Sequence, residues 1–413
     1  MENRVYDLSS INNYKTLDLL NDIENSDTLN KKELPLIHKQ WMKNDKVYNI
    51  FKYNKEALTV DMVNTLGLWR SVIYSNKKIN VFSPPKSLHI NFFANQYSAN
   101  ECMAEEFIEG TMINLFYDKD IDKWEIASKS SVGGNVTFYR NQPTFGELFY
   151  NICEELGIDI DKFSKEYSYS FIIQHPANRF VIPITMKRLY LVSMYKIDND
   201  NFKVTEYLAF TRENPDSPIR TLDPDILNRL SFGVYHRFGS YDELGGYYAS
   251  MNTNIYTMGV VIYHKDGMRS KMRNPNYEYL KNLRGNNSKL QYQYLSLRKL
   301  NNISEYLRFF PENRQQFSEY KQQVHLFTDT LYKNYISCYI RKERELKEFS
   351  LQFRTHMFNL HQIYLSIREE NGFINKQAVI NYVNELDPAK LMYSLNFHLR
   401  EIGKKSDEKT SSI

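Results

Sequence analysis

The segment from residue 265 to residue 299 combines basic and aromatic side chains in a way that suits phosphate chemistry. It holds nine lysines and arginines against two acidic residues, and four tyrosines are interleaved with them. Cationic side chains bind nucleic-acid phosphates, and aromatic rings stack on unpaired bases. The segment therefore predicts a surface for RNA or another single-stranded nucleic acid. The same spacing also allows a solvated helix face with buried tyrosines.

Patterns for other common chemistries are missing from the sequence. It contains no Gly-x-Ser-x-Gly, His-Glu-x-x-His or P-loop pattern, which argues against hydrolases and P-loop enzymes. His356 and His361 lie five residues apart, so they do not share a helix face as paired metal ligands do. Cys102, Cys153 and Cys338 are far apart, without a Cys-x-x-Cys spacing. We predict no metal site and no disulfide framework.

The composition is that of a globular protein. The chain has 413 residues, of which 42% are hydrophobic, and this length favours two domains. Its net charge of +4 is only mildly basic, so a polyanion site has to come from local clustering. Neither a signal peptide nor a membrane-spanning stretch is recognisable. We expect a soluble, cytoplasmic protein.

The stretch from Glu105 to Gly134 is predicted to form a hairpin, with strands at Glu105–Tyr117 and Lys123–Lys129. Its beginning contains the sequence Phe107-Ile108-Glu109-Gly110-Thr111. These five residues resemble motif I of the covalent nucleotidyltransferases, Lys-x-Asp/Glu-Gly-Ser/Thr. In that superfamily the lysine accepts a nucleoside monophosphate from ATP or GTP. Phe107 occupies the position of the lysine, and no lysine or arginine lies between Ser87 and Asp118.

Further segments occur in the order and approximate spacing of one family. The N-terminal two thirds resembles RNA ligases of the phage tRNA-repair type, in a divergent form similar to those of large DNA viruses. The segments that carry this resemblance are Leu68–Arg70, Phe82–Lys86, Ser128–Ser131, Pro176–Val181, Met258–Val261 and Lys271–Arg273. The resemblance implies an α+β fold: a nucleotidyltransferase domain of ATP-grasp-like antiparallel sheets, followed by an all-helical C-terminal domain.

The resemblance also implies roles for individual residues. The positions expected to contact phosphate or RNA are Arg70, Lys86, Lys129, Arg179, Lys271 and Arg273. Residual motif positions are Glu109, Gly110, Thr111, Asn178 and Gly259. These assignments, together with the basic segment, predict a cationic cleft for RNA or nucleotide phosphates.

Three positions depart from the family in a concerted way. Phe107 replaces the nucleophilic lysine, and Ile172 and Met258 replace carboxylates that the family uses in catalysis. We therefore predict no catalytic residue among them and interpret the chain as a pseudo-ligase. Loss of the carboxylates leaves the cleft more positive. The three apolar side chains are expected to fill part of the ATP pocket.

Two alternatives remain open at this stage. In one, the chain is an active RNA ligase or nucleotidyltransferase with Lys86 as a relocated nucleophile and Glu109 assisting, and it then uses ATP and Mg²⁺. In the other, it is a structural or virion-associated protein whose helical domain docks a protein partner. Viral origin would extend the expected location from the host cytoplasm to the virion.

The predicted organisation has four parts. Residues 1–45 form a helical appendage, residues 46–285 the ligase-like domain, residues 286–403 the helical domain and residues 404–413 a flexible tail. In the ligase-like domain we predict a helix at Thr144–Leu156 and a strand at Phe180–Ile184 among others. The C-terminal helices are predicted at Tyr277–Leu283, Leu290–Phe310, Arg314–Tyr339, Glu343–Ile367, Lys376–Glu385 and Ala389–Ile402.

Overall fold

The computed structural model describes residues 4–11, 14–25, 35–137, 142–370 and 372–401. The chain divides into two compact units, Met1–Lys281 and Asn282–Ile413. The predicted tail, residues 404–413, lies outside the described residues. Within the described ranges, no helix has the length and apolar character needed to span a membrane.

Antiparallel sheets dominate the first unit. The strands are β1 Arg4–Asp7, β2 Ser10–Ile11, β3 Tyr14–Lys15, β4 Leu36–Lys43, β5 Lys46–Tyr53, β6 Val72–Ser75, β7 Lys78–Val81, β8 Cys102–Glu106, β9 Thr111–Asp118, β10 Lys123–Ser128, β11 Ser131–Val132, β12 Tyr167–Gln174, β13 Arg188–Asp198, β14 Lys203–Leu208, β15 Tyr235–His236, β16 Gly259–His264 and β17 Arg269–Arg273.

These strands form a seven-stranded sheet of order β1-β14-β13-β12-β9-β10-β11 and two four-stranded sheets of orders β15-β8-β16-β17 and β4-β5-β6-β7. A short β2-β3 pair accompanies them. The helices of the chain are α1 Thr16–Asn25, α2 Ile90–Gln96, α3 Phe145–Leu156, α4 Pro224–Arg229, α5 Tyr241–Tyr248, α6 Pro275–Arg284, α7 Leu290–Lys299, α8 Ile303–Phe309, α9 Arg314–Tyr335, α10 Leu351–Ile367, α11 Lys376–Glu385 and α12 Pro388–Leu395.

The predicted single strand Glu105–Tyr117 is wrong. The structure divides it into β8 and β9, which belong to different sheets, and residues 107–110 connect them. Gly110 makes this crossing possible because its φ is +155° and an added Cβ would lie 2.5 Å from the carbonyl oxygen of Ile173. The motif I segment is therefore a connection between two sheets.

The predicted strand Phe180–Ile184 is also wrong. These residues form no ladder, because the backbone N–H groups of Val181 and Ile182 donate to the Glu109 carboxylate. The predicted helix Thr144–Leu156 is confirmed as α3. Thr144 and Glu147 form a capping box at its start, and Gly157 ends it with a φ of 66°.

The first 45 residues contain more than the predicted helix. Leu19, Leu20 and Ile23 do lie on a buried face of α1. In addition, β1 pairs with β14 at the edge of the seven-stranded sheet, and β4 pairs with β5. The purely helical description of this stretch is thus incorrect, since its strands extend two sheets.

The second unit is helical in its described part. The predicted helix Leu290–Phe310 is broken into α7 and α8 at Asn301, whose φ is 58°. The helix predicted to begin at Glu343 begins only at Leu351, after Ser350 caps it by accepting a hydrogen bond from Gln352 N. His356 packs in this unit, with Nε2 2.8 Å from Ser394 Oγ. This contact indicates a structural role for His356.

The predicted fold class is confirmed. An α+β unit of mainly antiparallel sheets comes first, and an all-helical region follows it. The strand ladders place alternate side chains of β8, β16 and β17 on one face, and this face carries the candidate site.

Candidate functional site

A cavity of about 310 Å³ lies in the first unit, beside the connection between β8 and β9. Faces of the seven-stranded sheet and of the β15-β8-β16-β17 sheet both contribute side chains to it. Among its lining residues are Arg70, Glu105, Phe107, Glu109, Met112, Ile172, Tyr190, Met258, Arg269, Lys271, Arg273 and Tyr277. All three apolar replacements identified from the sequence thus line the same cavity.

One wall of the cavity is charged because of the two-residue period of β17. Arg269, Lys271 and Arg273 occupy alternate positions on this strand and all line the cavity. Lys271 is opposite Val261 on β16, and Val261 is opposite Glu105 on β8. A row of charged and apolar side chains thus crosses three strands. We call Glu105, Arg269, Lys271 and Arg273 the charged wall.

The opposite wall is apolar for a similar reason. Ile172 on β12 is paired with Met112 on β9 and with Tyr190 on β13. The three side chains form a row across the seven-stranded sheet, and all line the cavity. We call Met112, Ile172 and Tyr190 the apolar wall. Ile172 is buried in it.

Phe107 joins the charged wall through Gly259. The Phe107 N–H donates to the Gly259 carbonyl oxygen at 3.0 Å, and Gly259 is paired with Arg273 on the next strand. Gly259 permits this close strand pairing, because an added Cβ would lie 2.2 Å from the Met272 carbonyl oxygen. The Nζ atom of Lys271 lies 4.2 Å from the centre of the Phe107 ring.

Lys271 has unusual electrostatics. It is partly buried, and within the described part of the chain its ammonium group makes no hydrogen bond or ion pair. Burial, followed by the nearby charges of Arg269, Arg70, Arg273 and Lys86, lowers the pKa of Lys271 to about 5. At neutral pH its amine is therefore uncharged, and the guanidinium groups supply the positive charge of the wall.

Glu105 is the acidic member of the charged wall. Its side chain is buried, and desolvation raises the pKa of the carboxyl group to about 7, although a hydrogen bond with Tyr263 and the charge of Arg269 act in the opposite direction. Burial thus favours the neutral form of this carboxyl group. This further reduces the negative charge beside the guanidinium groups.

The residual motif residues form a structural network. The Glu109 carboxylate accepts hydrogen bonds from Val181 N at 3.1 Å and Ile182 N at 3.0 Å. The Asn178 side-chain amide donates to Thr111 Oγ1 at 2.8 Å. These contacts fasten the segment after β12 to the β8–β9 connection. Glu109 and Asn178 therefore hold backbone in place beside the cavity.

The remaining predicted phosphate-binding residues lie in different places. Arg70 lines the cavity and donates to the Pro84 carbonyl oxygen at 3.3 Å. Lys86 is not among the lining residues, and its Nζ donates to the Ser87 carbonyl oxygen at 2.8 Å. Arg179 is also outside the lining, and its guanidinium donates to the Val181 carbonyl oxygen. The structure thus brings together Arg70, Lys271 and Arg273 of the predicted set.

Lys129 belongs to a second group of cations outside the lining residues. Partial burial lowers the pKa of Lys129, and the nearby charges of Arg70, Lys52 and Lys55 lower it further. Lys52 Nζ donates to Ser130 Oγ at 3.1 Å, and Lys39 Nζ donates to the Ser130 carbonyl oxygen at the same distance. We call Lys39, Lys52, Lys55 and Lys129 the outer basic patch. Arg70 contributes charge both to this patch and to the cavity.

The predicted site residues omit four charged residues that line the cavity, Glu105, Glu106, Arg269 and Lys281, although the last two belong to the basic segment 265–299. The signal for Arg269 was present, because it lies two residues before Lys271 in a strand and must share its face. Arg269 is buried, and its Nε atom has no hydrogen-bond partner in the described structure. Glu105 gave no comparable signal, since its position depends on the division of the predicted strand.

The carboxylates of the cavity do not fit a resident divalent metal. Among the described residues, no group of three or more His, Cys, Asp or Glu side chains is arranged to hold a metal ion. The Glu109 carboxylate is engaged by backbone N–H groups, and the neighbouring lining residues Ile172 and Met258 offer no oxygen ligand. No chemical step can therefore be derived through a metal held by these side chains.

Comparison with known proteins gives one viral relative and several ligases. The chain is 24% identical over 321 residues to the immediate-early protein ICP-46 homolog of Invertebrate iridescent virus 3. The match covers 74% of this chain and 65% of that protein, so the chain spans less than two thirds of its relative's length. No protein-family model matches the chain.

Similar solved structures are nucleic-acid ligases. An archaeal ATP-dependent RNA ligase has 9% sequence identity and a TM-score of 0.38, with coverage of 74% of this chain and 71% of that chain. The RNA ligase of Naegleria gruberi, solved with pyrophosphate, has 11% identity and a TM-score of 0.34, with coverage of 51% and 59%.

Proposed function

We propose that this protein is a pseudo-ligase that binds RNA or nucleotide phosphates through its charged wall. It does so without forming a lysyl-nucleotide at residue 107. The observation that carries the proposal is the convergence of Arg70, Arg269 and Arg273 on one cavity. Its relation to the RNA ligases of the phage tRNA-repair type and of large DNA viruses belongs to the same proposal.

Guanidinium groups suit this role chemically. Arginine stays charged at all physiological pH values and presents planar N–H donors that match phosphate oxygens. Lys271 contributes no charge at neutral pH, since its pKa is lowered to about 5 by burial and by its cationic neighbours. The phosphate affinity of the cavity is therefore assigned to its arginines.

The apolar side chains determine what else can enter. Phe107, Ile172 and Met258 line the cavity at positions where the family has charged groups. A phenylalanine ring cannot attack a phosphorus atom, and apolar side chains cannot hold a metal-bound triphosphate. We expect these side chains to weaken nucleotide binding. Tight, magnesium-dependent ATP binding by isothermal titration would contradict this part of the proposal.

Binding to a labelled single-stranded RNA tests the proposal. Fluorescence anisotropy at low salt should give a Kd that rises about tenfold in Arg70→Gln, because one charge-assisted contact to a phosphate is worth about 1.5 kcal/mol or more. Arg220→Gln is the matched control, since Arg220 is exposed and does not line the cavity. Equal affinities of the two variants would refute the assignment to the cavity. Absence of any RNA binding would favour the virion-associated alternative.

The alternative with Lys86 as nucleophile gains no support from the geometry. Lys86 does not line the cavity, and its Nζ donates to the neighbouring Ser87 carbonyl oxygen. Incubation with α-labelled ATP and Mg²⁺, followed by a denaturing gel, tests it directly. We expect no adduct that depends on Lys86. An adduct present in the wild type and lost in Lys86→Ala would establish the alternative.

A further inference from the structure

Lys271 combines three properties that phosphate binding does not require. Its side chain lines the cavity, its amine is uncharged at neutral pH, and within the described residues it makes no hydrogen bond or ion pair. A lysine that served only as a cation would retain its charge or pair with an anion. An uncharged amine in a partly desolvated site is a nucleophile.

The position of this amine is fixed by its neighbours. Lys271 Nζ lies 4.2 Å from the Phe107 ring centre. Arg269 and Arg273 flank it along β17, two residues away on either side. The Phe107 ring covers one side of the amine with an apolar surface. The positive charges of Arg269 and Arg273 disfavour protonation of the amine. An anion drawn to the arginines is therefore brought beside a free amine.

Carbonyl chemistry suits such an amine better than phosphoryl transfer. An amine and an aldehyde condense to an imine without a metal ion, oxidant or reductant, and the described carboxylates do not form a metal site. The aldehyde also has to carry phosphate groups, because the arginines attract anions. In nucleic acids, an aldehyde between two phosphates occurs in the ring-opened sugar of an abasic site.

The size of the cavity agrees with such a ligand. Its volume is about 310 Å³, and one wall is the row of Met112, Ile172 and Tyr190. A sugar that has lost its base needs less space than an intact nucleotide. Arg70 and Arg273, which would receive its phosphates, line the same cavity as Lys271.

We infer that Lys271 captures the abasic sugar of a single-stranded nucleic acid as an imine, with the flanking phosphates held by the cavity arginines. The Lys271 nitrogen adds to C1′, both amine hydrogens leave with the carbonyl oxygen as water, and a carbon–nitrogen double bond forms. The condensation needs no oxidant or reductant. This inference rests on the proposed function, since it needs nucleic-acid phosphates in the same cavity.

Borohydride trapping tests the inference on the full chain. A labelled single-stranded oligodeoxynucleotide carrying one uracil is treated with uracil-DNA glycosylase, incubated with the protein and reduced with sodium cyanoborohydride. We expect a protein–DNA crosslink on a denaturing gel, with mass spectrometry locating it on Lys271. The crosslink should be abolished in Lys271→Arg, which cannot form an imine. It should persist in Lys123→Arg, a control on an exposed lysine remote from the cavity lining.

A second oligonucleotide separates this inference from the proposed function. A tetrahydrofuran analogue has the phosphates of an abasic site but no aldehyde, so its binding by anisotropy reports phosphate recognition alone. Normal binding of the analogue without a crosslink would overturn the inference and leave the proposed function intact. Absence of both analogue binding and the crosslink would overturn the inference and the proposed function together. A wild-type crosslink that maps to Lys86 or Lys281 would also overturn the inference, whether or not Lys271→Arg folds.

Discussion

The two walls of the cavity come from two sheets and have opposite chemistry. On the charged wall, β17 places Arg269, Lys271 and Arg273 on one face. On the apolar wall, Met112 and Ile172 form part of a row across the seven-stranded sheet. The side of the cavity that β17 builds is thus positively charged, while the side opposite it is a hydrophobic surface.

A second contrast concerns two ionisable groups near Phe107. The Glu109 carboxylate accepts hydrogen bonds from two backbone N–H groups. The Lys271 amine makes no such bond within the described residues and has lost its proton at neutral pH. Glu109 is therefore satisfied and structural, whereas Lys271 is available for contact with a ligand.

The largest expected effect comes from the glycine that allows the charged wall to form. In Gly259→Ala the new Cβ would lie 2.2 Å from the Met272 carbonyl oxygen, and the backbone φ is +132°. We expect a loss of about 3 kcal/mol in the free energy of unfolding. Urea denaturation followed by circular dichroism measures it. Gly246→Ala is the matched control, because nothing lies within 4 Å of its Cβ position. Equal stability of both variants would contradict this role of Gly259.

A smaller effect is expected from Glu109→Gln. The N–H groups of Val181 and Ile182 each donate to both Glu109 oxygens, so a glutamine amide in place of Oε2 leaves the bonds to that oxygen unmade while Oε1 keeps its own. The expected loss of stability is about 2 kcal/mol, the cost of a charge-assisted bond left unmade. Glu106→Gln, on another acid that lines the cavity, should change stability by less than about 0.5 kcal/mol. A larger effect of Glu106→Gln would reverse the assignment.

Removal of the Lys271 amine should raise stability. Because the pKa of Lys271 is about 5 in the folded chain and about 10.4 when unfolded, the unfolded state binds more protons between these values. Wild-type stability therefore falls as the pH decreases through this window. Lys271→Met removes the penalty and should be more stable by roughly 1 kcal/mol or more at pH 7.

The pH dependence provides the check on this prediction. The advantage of Lys271→Met over the wild type should grow as the pH is lowered from about 10 to about 5 and stay constant below about 5. Thermal unfolding of both proteins at a series of pH values measures it. A constant difference across the whole range would mean that Lys271 keeps its ordinary pKa.

Local signals account for the parts of the fold that the sequence predicted. The helix α3 follows from Thr144 as N-cap and Gly157 as a left-handed terminator, both of which act on adjacent backbone. The hairpin turn between β6 and β7 is likewise local, since Asn76 and Lys77 adopt the positive φ values of 48° and 62° that such a turn requires. The helix Lys376–Glu385 has the predicted bounds for the same reason, since Asn375 caps it.

Tertiary packing explains what the sequence could not predict. The division of Glu105–Tyr117 depends on the approach of Gly110 to the Ile173 backbone, which no local pattern encodes. The sequence identified Phe107, Ile172 and Met258 as altered positions, and the structure places them around one cavity. That Lys271 lies beside Phe107 depends on strand pairing across Gly259, so its position was not predictable from residue spacing alone.

The most direct test of the charged wall is the salt dependence of single-stranded RNA binding. The logarithm of the binding constant should fall linearly with the logarithm of the salt concentration, and each neutralised phosphate contributes about 0.7 to the slope. In the double variant Arg70→Gln/Arg273→Gln the slope should decrease by about 1.4 relative to the wild type. An unchanged slope would contradict the proposal that these arginines hold nucleic-acid phosphates.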